Sequence, residues 1–214
     1  MLSLNQLIYL LQGTLWTITL AAIGFLGGAI LGLIIALMRV SAFAPIRLAA
    51  SGYIQFIQGI PLPVLMFISY FGLALTGRDI PAVVAAALSI TIFAAAYLGE
   101  IWRGCIQAVP RTQWEAADSL ALTPLQKMFD VVLPQAVRLS IPPTVGFTVQ
   151  IIKNTSYAVV IGFVELTQSG RIINNSVFEP FLIFTIVGAI YFAMCFPLSR
   201  LSRQLEARLR ARGA

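Results

Sequence analysis

The sequence predicts an all-α integral membrane protein with five transmembrane helices and short cytoplasmic helices. Of its 214 residues, 59% are hydrophobic and 10% are charged, whereas a soluble domain carries about 25% charged residues. A backbone in lipid must form its own hydrogen bonds, so long apolar stretches are predicted to be helical. Four stretches contain no Asp, Glu, Lys or Arg and are long enough to cross about 30 Å of hydrocarbon: residues 1–38, 48–77, 80–99 and 180–199.

A fifth apolar stretch covers residues 139–164 and is interrupted by Lys153 alone. The length of the chain suits a single domain. We therefore expect one transmembrane domain over residues 1–214, with a long cytoplasmic loop at about 103–139. Its spans are predicted at about 14–38, 52–76, 81–102, 140–164 and 180–199.

The positive charges predict the orientation in the membrane. Five spans place successive connections on alternate sides, and Lys and Arg concentrate on the cytoplasmic side. One side receives only Arg78 and Arg171, so we expect the N-terminus outside and the C-terminus in the cytoplasm. The net charge of +6 is explained by basic residues that face anionic lipid headgroups on the cytoplasmic side, so nucleic acid is not expected as a partner. The other side carries Arg39, Arg47, Arg103, Arg111, Lys127, Arg138, Arg200, Arg203, Arg208, Arg210 and Arg212.

The cytoplasmic loop is predicted to contain two short helices. A first helix is expected within 113–122, which is rich in Ala and has no internal Pro or Gly. Thr123 followed by Pro124 is typical of an N-cap with Pro at the first helical position. A second helix is expected over 125–132, ending before Pro134. A loop this long in so short a chain is usually functional.

The loop carries the sequence Glu115-Ala116-Ala117, then Ala121, and after nine further residues Val131-Val132-Leu133-Pro134. This spacing resembles the EAA loop of permease subunits of binding-protein-dependent ABC importers, with Ala121 in place of the usual Gly. The resemblance implies that Glu115, Ala116, Ala117, Ala121 and Pro134 couple the permease to a separate ATPase. Paired alanines would let the helix backbone approach a groove on the ATPase closely, and Glu115 would give a charged anchor.

Four further segments are similar to polar-amino-acid permeases of that family: residues 58–64, 96–104, 133–138 and 152–156. The resemblance implies a type I ABC importer permease in a bacterial cytoplasmic (inner) membrane. It implies as partners ABC ATPase subunits, a second permease copy or a paralogue, a periplasmic or extracellular solute-binding protein, and an amino acid as cargo. ATP and Mg would be bound by the ATPase partner, and this chain would hold no cofactor.

A polar face inside the fourth span is the candidate cargo site. An ionisable residue such as Lys153 inside a membrane span is a functional hypothesis by default. Gln150, Lys153, Asn154 and Tyr157 follow helical spacing and should share one face, and the resemblance adds Ser156 through the segment Lys-Asn-Thr-Ser. The ammonium of Lys153 suits a carboxylate. A structural role for Lys153, paired with backbone carbonyls or an acid on a neighbouring subunit, remains the alternative.

Three local patterns predict how the spans bend and pack. Pro61 and Pro63 should break or kink the second span. Glu100 and Arg103, three residues apart, favour an ion pair over a gating role. The first span carries small residues at four-residue spacing, Gly24, Gly28 and Gly32. Such a face lets another helix approach closely, and we favour a contact within the subunit over one at a subunit interface.

The sequence lacks histidine and a phosphate-binding motif, two features that enzymes and ATPases commonly use. It has no histidine and no Gly-x-x-x-x-Gly-Lys-Ser/Thr phosphate loop, so we expect no catalytic residue, no metal site and no ATP hydrolysis by this chain. Glu100 is the only acidic residue in a predicted span, which slightly favours a neutral or acidic amino acid as cargo. Two alternatives are an ATP-independent channel or secondary transporter, and a scaffolding permease paired with a cargo-binding paralogue.

Overall fold

The computed structural model describes residues 3–75, 77 and 80–213. Arg78, which the orientation argument assigned to the outer side, and residue 76, the predicted end of the second span, lie outside the described residues. The α-helices within these ranges are α1 Leu4–Arg39, α2 Ala44–Gln58, α3 Leu62–Ala74, α4 Ala82–Gln107, α5 Arg111–Ser119, α6 Pro124–Gln126, α7 Leu133–Asn154, α8 Leu166–Val177 and α9 Pro180–Gly213. A π-helical segment, Lys127–Val132, precedes α7, and a 3-10 segment, Thr155–Ile161, follows it.

Three of the described helices, α1, α4 and α9, are individually long and apolar enough to cross a membrane. Two further spans result if each of two bent pairs is counted as one: α2 with α3, bent by 98°, and the helix of residues 124–161 with α8, bent by 51°. The all-helical fold with up to five spans therefore agrees with the prediction. The helices extend beyond several predicted spans, since α1 begins at Leu4 and α9 continues to Gly213.

The break in the second predicted span lies at the expected prolines. Helix α2 ends at Gln58, Pro61 adopts an extended backbone with φ −59° and ψ 135°, and α3 begins at Leu62 with Pro63 in its first turn. Proline lacks the N–H that would continue the helix. The result is two separate helices that meet at nearly a right angle.

Helices α1 and α4 pack closely along the predicted glycine face. A Cβ added to Gly24 would lie 2.3 Å from Cγ2 of Ile90, and one added to Gly28 would lie 2.4 Å from Cβ of Ala94. Glycine is therefore required at both positions for the helices to approach this closely. The glycines pack within the subunit, as the sequence favoured, and the largest buried cluster surrounds this contact, with Leu20, Met66, Ile90, Leu98 and Ile151 among its members.

The second loop helix differs from its prediction. Thr123 does cap α6, accepting from the backbone N–H of Gln126. The helix then continues past Pro134 into α7 through the π-helical segment, in which the N–H of Leu133 donates to the carbonyl of Met128, five residues back. The wider π turn shifts the hydrogen-bond register just before the proline, and the side chain of Gln135 donates to the carbonyl of Val131 at 2.8 Å. The prediction that this helix ends before Pro134 was wrong.

Candidate functional sites

The first candidate site is the outer surface of α5. Glu115 and Ala116 are exposed there, whereas Ala117 is only 2% exposed and packs inward. Trp114 contributes to a small buried cluster around Ile106, Val109, Val132 and Ala136, which holds α5 against the end of α4 and the start of α7. Of the two alanines expected to contact an ATPase, Ala116 is therefore available and Ala117 instead lets α5 lie close to its own subunit.

The turn after α5 contains Ala121, the residue that stands in place of the usual glycine of the EAA pattern. Ala121 has φ 53°, in the left-handed region that favours glycine. Its N–H donates to the carbonyl of Asp118 at 2.9 Å, and the N–H of Leu122 donates to the carbonyl of Ala117 at 3.2 Å. This turn therefore has the backbone conformation that the usual glycine of the EAA pattern would adopt without strain.

Polar contacts hold the loop in place. Asp118 forms an ion pair with Lys127, and the side chain of Gln135 donates to that of Gln113 at 3.2 Å. Together they tie α5 to the helix that leads into α7. A displacement of α5 would therefore pull on the helix that carries Lys153.

The loop presents apolar side chains and an open depression on its surface. Leu120 is 74% exposed and Leu125 is 70% exposed, and Pro134 is exposed as well. A depression of about 610 Å³ beside Glu115 is lined by Gln107, Val109, Arg111, Trp114 and Glu115. Such exposed apolar residues outside the spans are typical of a protein interface.

The second candidate site is the polar stretch at the end of α7. Lys153, Gln150 and Tyr157 are exposed, and Ser156 is half-buried with its hydroxyl donating to the carbonyl of Lys153 at 2.7 Å. Asn154 is buried, and its Oδ1 accepts from the side chain of Gln150 at 2.9 Å. Of the four residues predicted to share one helix face, Asn154 is therefore the one that is buried, and its hydrogen bond to Gln150 keeps these two side chains together one turn apart.

The change of helix type explains how the predicted face is altered. The α-helix ends at Asn154 and the next seven residues form a 3-10 helix, which has about three residues per turn rather than 3.6. Gln150 and Tyr157 are seven residues apart and would lie on one face of a continuous α-helix. That alignment does not hold where the helix type changes between them. Lys153 nevertheless stays exposed, about 22 Å along the helix from Arg138 at 1.5 Å per residue, and has no salt-bridge partner within the described ranges.

A buried carboxylate escaped the sequence analysis. Glu165 is 0% exposed and caps α8, where it accepts from the backbone N–H groups of Thr167 at 3.0 Å and Gln168 at 2.9 Å. It also accepts from the hydroxyl of Tyr191 on α9 at 2.8 Å and that of Thr17 on α1 at 3.4 Å. Glu100 is thus not the only acid within the helix bundle.

Glu165 lies one residue beyond the predicted fourth span, which is why it was missed. Two signals could have found it. An acidic residue followed by Leu-Thr-Gln is a possible N-cap, and Thr17 and Tyr191 are polar residues within otherwise apolar spans. The carboxylate of Glu165 accepts hydrogen bonds from four donors of its own chain. It therefore joins α1, α8 and α9.

The predicted ion pair at the end of α4 is present. Nε of Arg103 donates to Glu100 at 2.9 Å. Arg39, the last residue of α1, adds a second cation at 3.7 Å from the same carboxylate. The cluster therefore joins the ends of α1 and α4, next to the glycine contact.

Comparison with known proteins places these features in one family. Residues 28–211 match the family described as binding-protein-dependent transport system inner membrane component. The probable amino-acid ABC transporter permease protein YckA of Bacillus subtilis (strain 168) is 36% identical over 91% of this chain and 86% of its own length. The L-cystine transport system permease protein TcyB of the same organism is also 36% identical, over 92% of this chain and 85% of its own length.

Solved structures agree in fold. A crystal structure of an amino acid ABC transporter with histidines contains a chain that matches 97% of this one and 99% of its own length, with a TM-score of 0.89 and 35% identity. An inward-facing structure of the MetNI methionine ABC transporter matches with a TM-score of 0.77 over 95% of this chain and 99% of its own, at 18% identity. The second likeness concerns the fold alone.

Proposed function

Because the chain belongs to the binding-protein-dependent transport system inner membrane components and is the permease subunit of an amino-acid ABC importer, we propose that it lines a cargo path with Lys153 and couples that path to an ATPase through α5. The chain is a multi-pass protein of the bacterial inner membrane. In this family the ATPase is a separate subunit that binds the nucleotide, so this chain itself hydrolyses no ATP and needs no cofactor.

The coupling role is supported by the exposure of one face of α5. Glu115 and Ala116 point away from the subunit beside the depression of about 610 Å³. Leu120 and Leu125 add apolar area next to them, and an apolar centre with a charged anchor suits a stable protein contact. Ala117 lets α5 lie close to its own subunit and Ala121 forms the turn after it, whereas Pro134 adds exposed apolar area at the start of α7.

The coupling role is tested by reversing the charge of Glu115. In Glu115→Arg the ATPase should co-purify about tenfold less, because an interface charge would meet a partner surface of the wrong sign. Glu179→Arg is the matched control, since Glu179 is exposed but lies between α8 and α9, away from the loop. Equal ATPase recovery in the two variants would contradict docking through α5.

The cargo role rests on the ammonium of Lys153, for which the described residues offer no ion-pair partner. A charge inside a membrane span is costly unless it faces water, a counter-ion or a cargo path, yet Lys153 is exposed on the surface of this subunit. A second copy or a paralogue placed against that surface would enclose Lys153 in a path between the two subunits. Gln150, Tyr157 and Ser156 would border the path, and Asn154 would hold Gln150 from behind.

The chemistry of this face favours a cargo carboxylate. The ammonium of Lys153 has no anionic partner within the described part of the chain, and the carboxylate of Glu165 is saturated by four donors. Relatives are named for glutamine and L-cystine transport, and a matching structure is of a transporter with histidines. A neutral or acidic amino acid is the proposed cargo class.

The orientation belongs to the same proposal. With the N-terminus outside, α5 lies on the cytoplasmic side, where ATPase subunits reside, and α8 lies near the outer face, where a solute-binding protein delivers cargo. ATP binding would draw the two ATPases together and move the docked α5 helices. The ion pair of Asp118 with Lys127 and the contact of Gln135 with Gln113 would transmit that movement to α7.

The measurement that tests the cargo role is cargo-stimulated ATPase activity in liposomes. The permease is reconstituted with its co-purifying partners and its binding protein, and a panel of amino acids is added. Stimulation should be lost in Lys153→Ala and largely kept in Lys153→Arg, which preserves the charge.

The other outcomes separate the alternatives. Unchanged stimulation in Lys153→Ala would fit a scaffolding permease paired with a cargo-binding paralogue. Uptake without any co-purifying ATPase would favour an ATP-independent channel or secondary transporter.

A further inference from the structure

A groove between α7 and α9 combines apolar walls with two arginines. It has a volume of about 310 Å³ and is lined by Arg138, Ile141, Pro142, Leu205, Arg208 and Leu209. Four of these six residues are apolar, and both charged ones carry the same sign. A neighbouring depression of about 460 Å³ shares Pro142 and Leu209 and adds Ser202 and Glu206 to its lining.

The position of the groove follows from how the two helices meet. The hydroxyl of Ser202 on α9 donates to the carbonyl of Pro142 on α7 at 2.8 Å, and a Cβ added to Gly146 would lie 3.2 Å from the same hydroxyl. Arg138 lies one turn before Pro142, and Arg208 lies nearly two turns after Ser202. The groove therefore lies just beyond the close contact, at the end of the bundle where the loop emerges.

The length of α9 places the groove at the edge of the bilayer. Its 34 residues span about 51 Å at 1.5 Å per residue, whereas the hydrocarbon core is about 30 Å thick. The uncharged part of α9 ends at Ser199, so Leu205 and Arg208 lie in the headgroup region or just beyond it. Ile141 and Pro142 lie within the predicted fourth span, where this part of the wall can receive an acyl chain while the arginines reach a headgroup.

No ion pair of either groove arginine is found among the described residues. Within that part of the chain, two cations on one apolar groove therefore lack an anion. Arginine forms two parallel hydrogen bonds to a phosphate, and basic pockets between transmembrane helices bind anionic lipid headgroups. Glu206 is negatively charged like such a ligand and would repel it, but it borders the neighbouring depression and does not line the groove itself.

We infer that this groove binds an anionic phospholipid, with its phosphate on Arg138 and Arg208 and an acyl chain along Ile141 and Pro142. The inference rests on the proposed function in one respect: the proposed orientation places this groove in the cytoplasmic leaflet of the membrane. A lipid held there would contact α7, the helix that carries Lys153, and the basic end of α9.

The test measures lipid binding rather than transport, so it separates this inference from the proposed function. The full-length chain in detergent is titrated with phosphatidylglycerol, phosphatidylcholine or inorganic phosphate, and bound lipid is counted by native mass spectrometry. Phosphatidylglycerol should bind, and Arg138→Gln/Arg208→Gln should weaken it about 30-fold, since each arginine near a membrane surface contributes about a factor of five. The matched control is Arg200→Gln/Arg203→Gln, which removes two exposed arginines of α9 outside the groove and should leave this binding within about twofold.

A second variant protects the test against misfolding. Ile141→Trp keeps both arginines and fills the apolar wall, so it should also weaken phosphatidylglycerol binding. Equal binding of phosphatidylglycerol and phosphatidylcholine, or unchanged binding in both groove variants, would overturn the inference. Competition by inorganic phosphate at matched concentration would show a simple anion site instead, and loss of ATPase co-purification with lipid binding intact would show a protein-docking surface.

Discussion

Ala121 occupies a backbone conformation that is unfavourable for any residue with a Cβ. Its φ of 53° lies in the left-handed region, which costs an L-residue about 1–2 kcal/mol. We expect Ala121→Gly to stabilise the folded chain by about 0.5–1 kcal/mol, because the relief of strain exceeds the added flexibility of the unfolded glycine. Thermal unfolding of the purified chain in detergent measures the difference.

The matched control for this substitution is Ala116→Gly. Ala116 is exposed within α5, where the change to glycine should destabilise the helix by about 1 kcal/mol. If both variants lose stability to the same extent, the left-handed turn carries no measurable strain.

Glu165 offers a second prediction for a single residue. In Glu165→Gln an amide N–H₂ replaces one of the two oxygens that now accept hydrogen bonds. This new donor would face another donor, either the hydroxyl of Tyr191 or a backbone N–H of α8. We expect a loss of about 1–3 kcal/mol in the free energy of unfolding, because buried donors lose their acceptor. Glu179→Gln, at an exposed position, should change stability by less than about 0.5 kcal/mol. A similarly small effect of Glu165→Gln would contradict a structural role for the network.

These residues show which parts of the candidate sites the sequence could predict. The Glu-Ala-Ala spacing identified the loop surface, and the isolated Lys153 identified the polar stretch of α7. Periodicity could not predict that Asn154 is buried, because its burial depends on which parts of the chain pack against that side of α7. The two side-chain partners of Glu165 are separated from it by 148 and 26 positions along the chain, a separation that no local pattern encodes.

At the level of the helices, local signals predicted the start of α6 and the break before α3, but they did not predict that the helix continues past Pro134. Thr123 caps α6 and Pro61 precedes α3 as expected, because each effect depends on atoms within one turn. Pro134 did not end a helix, since the preceding π-helical segment and the side chain of Gln135 accommodate it. The 98° bend between α2 and α3 depends on tertiary packing and could not be read from the two prolines.

The contact between α1 and α4 gives a prediction for an element pair. Gly28→Ala would place a Cβ 2.4 Å from Cβ of Ala94 and 3.2 Å from the backbone N of Ala95, so the helices must separate. We expect a loss of about 1–3 kcal/mol in the free energy of unfolding, as for other overpacked sites. Thermal or denaturant unfolding in detergent provides the measurement.

Gly188→Ala is the matched control on α9, where an added Cβ would meet nothing within 4 Å. This variant should be neutral or more stable by up to about 1 kcal/mol, because Ala favours a helix more than Gly. A loss in Gly188→Ala equal to that in Gly28→Ala would show that helix separation is not the cause.

For the whole molecule, the uneven distribution of Lys and Arg predicts the orientation, and labelling can test it. In a background with Cys105→Ala and Cys195→Ala, single cysteines are introduced as Ser3→Cys and Arg203→Cys, both at exposed positions. A membrane-impermeant thiol reagent should label Ser3→Cys on intact cells and Arg203→Cys only after permeabilisation. The reverse pattern would invert the proposed orientation and place α5 on the outer side.

The glycine contact between α1 and α4 also limits how the molecule can move. At Gly24 and Gly28 the space between the helices is too small even for a methyl group. If one helix slid past the other, side chains would therefore clash with the backbone of the neighbouring helix. The carboxylate of Glu100, shared by Arg39 and Arg103, fixes the same pair at its end. In a transport cycle α1 and α4 must therefore travel as one rigid body. The relative motion that opens and closes a path has to take place at joints elsewhere, such as the bend between α2 and α3 or the one between α7 and α8.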